Sequence, residues 1–264
     1  MPYRIDARTA CHVAFDRLVE LGALDVELGD DGSIAALLPD SIDPATVASV
    51  LGVSEISVSC VAGRDADSVW ILTPRPIRVG RLRIVPADTT PEPGDLRLIE
   101  SAAFGTGLHP TTVLCLEALQ EGVLSGRPDA VLDVGTGSGV LALAALMLGV
   151  PRALGIDVDG EALRTAAENA RLNALDERLR LARGGPEAIA GMWPLVVANV
   201  LAAPLIEMAP ALVRHVAHEG QLVLSGIPRS VEADVDQAYR RLGMRRVAVR
   251  SRAGWVALVL RASW

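Results

Sequence analysis

The first 61 residues alternate between two hydrophobic periods. Apolar side chains at every second position are typical of a half-buried strand, whereas apolar side chains three or four positions apart are typical of a helix. Asp43 followed by Pro44 is a typical helix start, because a capping side chain precedes a proline in the first turn. The pattern predicts strands at 3–6, 24–28, 33–38 and 55–61 and helices at 9–21 and 44–52.

The order of these elements predicts a first domain over residues 1–67. Strand, helix, strand, strand, helix, strand is the order of a split-βαβ, ferredoxin-like α+β fold. Residues 68–95 are predicted to be a linker with short strands, because extended segments are followed there by the proline-rich loop 88–94.

From residue 96 onward, short apolar runs alternate strictly with helical patterns. Strands are predicted at 130–134, 152–156, 178–182, 194–200, 221–225, 245–250 and 255–261, with helices at 110–120, 138–148, 160–173, 203–215 and 230–242. Such alternation predicts a Rossmann-like α/β fold, a parallel sheet with helices on both faces. The last two strands are too close for a crossover and must be antiparallel. A seven-stranded sheet that ends in this way is typical of class I methyltransferases, so we expect such a domain over 96–264.

A glycine-rich turn follows the first strand of this second domain. The sequence Asp-Val-Gly-Thr-Gly-Ser-Gly leads into a helix N-terminus, where glycines let a ligand approach free backbone N–H groups. A dinucleotide site needs the pattern G-x-G-x-x-G, whose third glycine would fall on Val140. Asp133, Gly135, Gly137 and Gly139 instead fit the D-x-G-x-G-x-G pattern of S-adenosylmethionine (SAM) sites.

The next strand ends in Asp157. A carboxylate at this strand end can accept hydrogen bonds from both hydroxyl groups of a ribose, in SAM as in nicotinamide dinucleotides. The alternative is that Asp157 caps the following helix, although Asp159 is placed as well or better for that role. We predict that Asp157 binds the ribose, and that Asp133 orients the turn or contacts the methionine amino group.

Two polar segments indicate chemistry on an amine. Asn199 is predicted at the end of a strand, on the edge where open α/β sheets bind ligands. Amine-directed methyltransferases place an Asn or Asp there and offer its oxygen to the target nitrogen; the alternative is a helix cap. Residues 103–112 (AFGTGLHPTT) lead into a helix that starts at Pro110. The loop before this proline is therefore expected at the same edge of the sheet.

Five segments together resemble one protein family. AFGTGLHPTT, VLDVGTGSGVLALAAL, GIDVD followed by AAENARLN, VVANVLAAPL and LVLSGI are similar in order and spacing to the PrmA family over residues 100–230. These proteins are bacterial lysine methyltransferases that modify ribosomal protein L11. The resemblance implies SAM as the cofactor and a ferredoxin-like N-terminal domain that recognises the substrate. The sequence departs from the family at 100–102 and 65–70, which affects substrate delivery and not the cofactor site.

The resemblance also implies roles for individual residues. Cofactor contacts are expected from Phe104, Gly107, Thr112, Asp133, Gly135, Gly137, Gly139, Asp157 and Asn199. Catalytic roles are expected for Asn199, Thr106 and His109. A loop histidine is as often a packing or hydrogen-bonding residue, so the sequence leaves open whether His109 accepts a proton.

The reaction implied is in-line transfer of a methyl group from the sulfonium of SAM to a neutral amine. Free lysine has a pKa of ~10.4, so its ammonium must first lose a proton. Neutral acceptors beside a cationic sulfonium disfavour the ammonium form. No metal is required, and His215 and His218 are expected on one helix face without a third ligand.

Three alternatives remain open from the sequence. One is a related methyltransferase that acts on another protein, a peptide or a small amine. A nicotinamide oxidoreductase is disfavoured by Val140 and by the absence of a Tyr-x-x-x-Lys pair, since the sequence contains no lysine. A catalytically silent cofactor-binding module is disfavoured by Asn199 and the AFGTG segment.

The distribution of charge suggests the kind of partner. The formal net charge is −7, and residues 1–67 hold 12 acidic and 4 basic side chains, whereas the rest is nearly neutral. An acidic first domain suits a basic protein substrate and argues against direct nucleic-acid binding, although a merely solvated surface is the alternative. The apolar run 140–150 is too short to span a membrane, and the three cysteines are far apart, as in a reducing compartment. We therefore predict a cytoplasmic protein without a membrane partner.

Overall fold

The computed structural model describes residues 2–9, 14–28, 32–64, 70–72, 76–99, 109–252 and 254–264. The chain divides into two compact units. The first contains residues 1–75 with 251–254, and the second contains residues 76–250 with 255–264.

The first unit is an α+β unit with a five-stranded sheet in the order β2-β3-β1-β4-β5. Its elements are β1 (Tyr3–Arg8), α1 (Ala14–Glu20), β2 (Asp25–Leu28), β3 (Ser33–Leu38), α2 (Pro44–Leu51), β4 (Ser57–Arg64) and β5 (Trp70–Leu72). Neighbouring strands in this sheet are antiparallel. Large apolar side chains from both helices and the sheet form its core, among them Ile5, Leu18, Ile34 and Leu51.

The predicted start of α2 is confirmed. Asp43 Oδ1 accepts a hydrogen bond from the Ala45 N–H at 3.0 Å, and Pro44 occupies the first turn. The helix ends at Gly52, whose φ of +68° is a left-handed conformation that glycine adopts without steric cost.

The second unit contains the remaining elements. Its strands are β6 (Ile77–Val79), β7 (Leu82–Pro86), β8 (Asp95–Leu98), β9 (Ala130–Val134), β10 (Arg152–Asp157), β11 (Leu179–Arg183), β12 (Trp193–Asn199), β13 (Val216–Pro228), β14 (Met244–Arg252) and β15 (Trp255–Ala262). The last two residues of β14 belong to the first unit. Its helices are α3 (Pro110–Gly126), α4 (Val140–Met147), α5 (Gly160–Leu172), α6 (Ala202–Glu207), α7 (Ala209–Arg214) and α8 (Glu232–Arg240).

Strands β6, β7 and β8 form a small sheet that belongs to the second unit. Their apolar side chains, such as Val79 and Leu96, are buried in one cluster with Leu116 of α3. Gln120 of α3 donates to the Val79 carbonyl at 3.0 Å and accepts from the Arg81 N–H at 2.8 Å. Strands β6 and β7 thus lie in the segment predicted to be a linker with short strands, and they bury apolar side chains in the second unit, which begins at residue 76.

A seven-stranded mixed sheet forms the centre of the second unit, in the order β11-β10-β9-β12-β13-β15-β14. Strands β11, β10, β9, β12 and β13 are parallel, and β15 is antiparallel to β13. Strand order reverses between β9 and β12, so the carboxyl ends of β9, β10 and β12 border the crevice where open α/β sheets bind ligands. The predicted α/β architecture with a large, mostly parallel sheet is confirmed.

The helix predicted at 203–215 is divided into α6 and α7. Pro210 has no N–H to continue the hydrogen-bond ladder of α6, and proline is tolerated in the first turn of a new helix. The break therefore lies just before the proline, a position that hydrophobic periodicity alone does not reveal.

The expectation that His215 and His218 share a helix face is wrong. His218 lies in β13, whereas His215 ends α7. The ring nitrogens of His215 lie 2.8 Å from the Gly191 carbonyl and 2.6 Å from the Pro186 carbonyl. This buried ring therefore holds the connection between β11 and β12.

Candidate active site

The glycine-rich turn lies where β9 meets α4. Gly135, Gly137 and Gly139 have φ values of +70°, +54° and +83°, in the left-handed region that favours glycine. The space above Gly135 is filled by Val200, because a Cβ at Gly135 would overlap the Val200 side chain. The turn therefore packs directly against the residue that follows Asn199.

Asp133 at the base of this turn is fully buried. Its Oδ2 accepts hydrogen bonds from the Thr136 hydroxyl at 2.8 Å and from the Ala142 N–H at 3.1 Å. Its Oδ1 has no hydrogen-bond partner among the described residues. Burial raises the pKa of Asp133 to about 7, although the two hydrogen bonds act in the opposite direction. One oxygen orients the turn, and the other has no partner among the described residues.

The raised pKa of Asp133 predicts a pH dependence of stability. The pKa of Asp133 rises from 3.8 to about 7 on folding. The contribution of this shift to the free energy of unfolding is therefore complete below pH 3.8 and is lost as the pH rises through about 7. Asp133→Asn, which keeps an acceptor oxygen without the charge, should not show this loss. Urea unfolding of both proteins without cofactor at about pH 5 and pH 8 measures the difference. An equal loss of stability in the two proteins contradicts the assignment.

Asp157 and Asp159 have separate roles at the end of β10. The Oδ2 of Asp157 accepts from the Gly137 N–H at 3.0 Å and its Oδ1 accepts from the Asp159 N–H at 3.0 Å, so it connects the glycine-rich turn to its own loop. Asp159 caps α5 by accepting from the Glu161 N–H at 2.8 Å. The capping role considered for Asp157 therefore belongs to Asp159.

Val158 follows Asp157 directly at the carboxyl end of β10. It is 68% exposed. An exposed apolar side chain directly after Asp157 gives this edge a surface for a flat apolar group. The only indication in the sequence was an apolar residue between two aspartates.

Asn199 is located at the carboxyl end of β12 and is 9% exposed. Its Nδ2 donates to the Thr112 hydroxyl at 3.4 Å, which directs the amide nitrogen towards α3. Its Oδ1 is buried and has no hydrogen-bond partner among the described residues. Behind it, a Cβ at Gly226 would overlap the Val200 carbonyl oxygen, so Gly226 sets the path of the chain after Asn199.

His109 is the N-cap of α3. Its Nδ1 accepts from the Thr111 N–H at 3.3 Å and lies 2.7 Å from the Thr111 hydroxyl. The ring also packs edge-on against Trp255, with ring centroids 5.1 Å apart. These contacts give His109 a structural role at the start of the helix that carries Thr112.

The structure thus brings together several of the predicted site residues at one edge of the sheet. The predicted residues joined there by hydrogen bonds or packing are Thr112, Asp133, Gly135, Gly137, Gly139, Asp157 and Asn199. Phe104, Thr106 and Gly107 lie outside the described residues.

The described residues offer neither a metal cluster nor a membrane-spanning helix. Within the part of the chain that the structure describes, no group of three or more His, Cys, Asp or Glu side chains has the arrangement of a metal site. Among the helices of the described ranges, none is both long and apolar enough to cross a membrane.

Comparison with known proteins identifies the family. The family model described as ribosomal protein L11 methyltransferase (PrmA) matches residues 17–263. The chain belongs to this family. The predicted resemblance is therefore confirmed, and it extends over the whole methyltransferase unit and most of the first unit.

Individual PrmA relatives support this assignment. A ribosomal protein L11 methyltransferase of Chromohalobacter salexigens is 44% identical over 214 residues, 79% of this chain and 70% of that protein. One from Methylococcus capsulatus is 35% identical and covers 92% of each chain. The crystal structure of a ribosomal protein L11 methylase from Lactobacillus delbrueckii subsp. bulgaricus matches with a TM-score of 0.65 at 32% identity, over 71% of this chain and 99% of that one.

Proposed function

We propose that this chain transfers methyl groups from SAM to lysine amino groups of ribosomal protein L11. The observation that carries the proposal is Asn199 Oδ1, a buried acceptor without a hydrogen-bond partner among the described residues, beside the glycine-rich turn. A buried acceptor left unpaired is costly, and the N–H of an incoming amine satisfies it. Asn199 is therefore assigned to the target nitrogen.

The described residues fit SAM. The glycine-rich turn accommodates the methionine part, and the unpaired Asp133 Oδ1 is the acceptor for its ammonium group. Asp157 accepts the ribose hydroxyls, and the exposed Val158 offers an apolar surface to adenine. Phe104 and Gly107 are proposed as further contacts from the family resemblance. When bound, SAM supplies a methyl group on a cationic sulfonium.

The chain positions the amine and disfavours its protonated form. Asn199 Oδ1 accepts an N–H of the amine and so orients the nitrogen lone pair towards the methyl group. Thr106 is proposed as a second neutral acceptor. Neither group takes up the proton, which leaves to solvent before attack because lysine has a pKa of ~10.4. Orientation of the two reactants then supplies much of the acceleration.

His109 is proposed to act as a helix cap and not as a base. Its Nδ1 lone pair accepts from the Thr111 N–H and is therefore engaged in capping the helix. A nitrogen held in this way is not offered to the amine. Its contribution is to hold the first turn of α3, which presents Thr112 to Asn199.

Asp157→Ala should weaken SAM binding by about tenfold or more, because hydrogen bonds to a charged group are each worth about 1.5–3 kcal/mol. Calorimetric titration with SAM measures the change. Asp159→Ala is the matched control: it removes the cap of α5, costs about 0.5–2 kcal/mol of stability, and leaves SAM affinity nearly unchanged. Equal losses of affinity in the two variants would assign Asp157 a capping role only.

The first unit is proposed to be a ferredoxin-like domain that recognises the substrate. Its strands β2-β3-β1-β4 are antiparallel and its order of elements is that of a split-βαβ fold. The acidic excess over residues 1–67 suits a basic ribosomal protein. We propose a cytoplasmic location, where this substrate is made, with no contact to nucleic acid or membrane.

The charge of the first unit predicts a salt dependence. Raising the ionic strength should increase the KM for L11 several-fold, because screening weakens attraction between exposed opposite charges. The Kd for SAM should change much less. Steady-state kinetics and calorimetry over the same salt series compare the two constants. Equal sensitivity of both constants contradicts recruitment through the acidic unit.

The class of cofactor is tested by binding alone. Calorimetry should detect SAM binding to the purified protein and no binding of NADH. NADH binding without SAM binding overturns the proposed function. Another protein, a peptide or a small amine is the second candidate substrate, and the outcome that favours it is SAM binding together with unmodified L11.

A further inference from the structure

The AAENARLN segment, which the proposed function does not use, places one asparagine in the last turns of α5 and a second, Asn173, at its C-cap. Asn169 is fully buried. Both ends of its amide are satisfied: Oδ1 accepts from the Ile99 N–H at 2.8 Å, and Nδ2 donates to the Ser138 carbonyl at 2.9 Å. One side chain therefore connects the backbone beyond β8 to the glycine-rich turn.

Asn173 binds the same stretch of backbone in a different way. Its Oδ1 accepts from the Arg97 N–H at 2.9 Å, and its Nδ2 donates to the Arg97 carbonyl at 2.7 Å. In an extended chain, the N–H groups of residues 97 and 99 point to the same side. The side-chain oxygens of Asn173 and Asn169 accept from these two N–H groups, one each. Asn173 makes no recorded hydrogen bond to the glycine-rich turn.

The Ser138 carbonyl belongs to the peptide that precedes Gly139, the N-cap of α4. Ile99 is the last described residue before the segment that carries Phe104, Thr106 and Gly107. We propose that Asn169 is a positioning residue for methyl transfer, which fixes the glycine-rich turn and the entry to that segment relative to each other. This inference rests on the proposed function for its catalytic consequence, but the connection itself does not depend on the substrate.

Paired variants separate positioning from simple stability. Asn169→Ala and Asn173→Ala each remove two or more hydrogen bonds of a partly or fully buried amide, so similar losses of Tm are expected. Asn169→Ala should weaken SAM binding about fivefold or more and lower kcat about tenfold or more. Asn173→Ala should keep both constants within about threefold of the wild type. Equal losses of kcat and SAM affinity in both variants overturn the proposal.

A conservative variant provides a rescue. When protonated, the aspartic acid of Asn169→Asp accepts from the Ile99 N–H and donates its O–H to the Ser138 carbonyl, as the amide does. Its SAM affinity relative to the wild type should therefore recover as the pH falls. A SAM affinity of Asn169→Asp that stays below the wild-type value at every pH contradicts the role assigned to the Ser138 contact.

Hydrogen exchange tests the connection without any substrate. SAM should slow exchange in peptides covering 96–99 and 135–142 together in the wild type, but only in 135–142 in Asn169→Ala. If SAM slows exchange in 96–99 as much in Asn169→Ala as in the wild type, the inference is overturned. A wild type that passes this test but leaves L11 unmodified contradicts the proposed function alone.

Discussion

Asn199→Ala should lower kcat for L11 methylation by about a hundredfold or more while the Kd for SAM stays within a few-fold. The truncation removes the buried Oδ1 that is assigned to the target amine. Preorganised polar groups of this kind contribute about 10²–10³ in rate when they act at the reacting atoms. The variant gives up one hydrogen bond within the described residues, from the Asn199 amide to the Thr112 hydroxyl.

Asn199→Asp is the matched control for this prediction. It keeps an acceptor oxygen at the same position and should retain much more activity than the alanine variant. Single-turnover methylation with saturating SAM measures the chemical step in each protein. Turnover by Asn199→Ala at the wild-type rate removes Asn199 from the mechanism.

Gly226→Ala should lower kcat about tenfold or more and also reduce Tm. Gly226 has a φ of +85°, and an added Cβ would overlap the backbone carbonyl of Val200. A side chain can relieve such an overlap by changing its rotamer, but a backbone carbonyl cannot. The backbone after Asn199 must therefore shift. A displacement of about 1 Å in a positioned group is enough to reduce the rate strongly.

Gly149→Ala separates the effect of this clash from the cost of backbone strain. Gly149 has a φ of +105°, but nothing lies within 4 Å of an added Cβ. This variant should lose stability of about 1 kcal/mol and keep the wild-type kcat. Thermal unfolding and kinetics on both variants make the comparison. If Gly226→Ala loses only as much stability as Gly149→Ala and keeps the wild-type kcat, Gly226 does not position Asn199.

Local patterns were sufficient to predict much of the second unit. Strict alternation of strands and helices determined the α/β fold, and the glycine-rich turn and Asp157 follow from backbone rules that act within a few residues. The cap at Asp159 also depends on its immediate neighbours alone. Such features need no knowledge of distant contacts, and for that reason they were predictable.

The features that were missed depend on contacts between distant parts of the chain. Strands β6 and β7 were predicted as short strands of a linker, because only packing on α3 shows where their apolar side chains are buried. Gln120, about 40 residues further along the chain, makes hydrogen bonds to the backbone of the hairpin formed by β6 and β7. The exposure of Val158 and the two-ended contact of Asn169 likewise follow from the tertiary arrangement.

The most direct test of the central claim is transfer of a labelled methyl group from SAM to purified ribosomal protein L11, with the modified residues located by mass spectrometry. We expect label on lysine amino groups of L11 with the wild-type protein, and about a hundredfold less with Asn199→Ala. Unlabelled L11 in the presence of protein that binds SAM would contradict it.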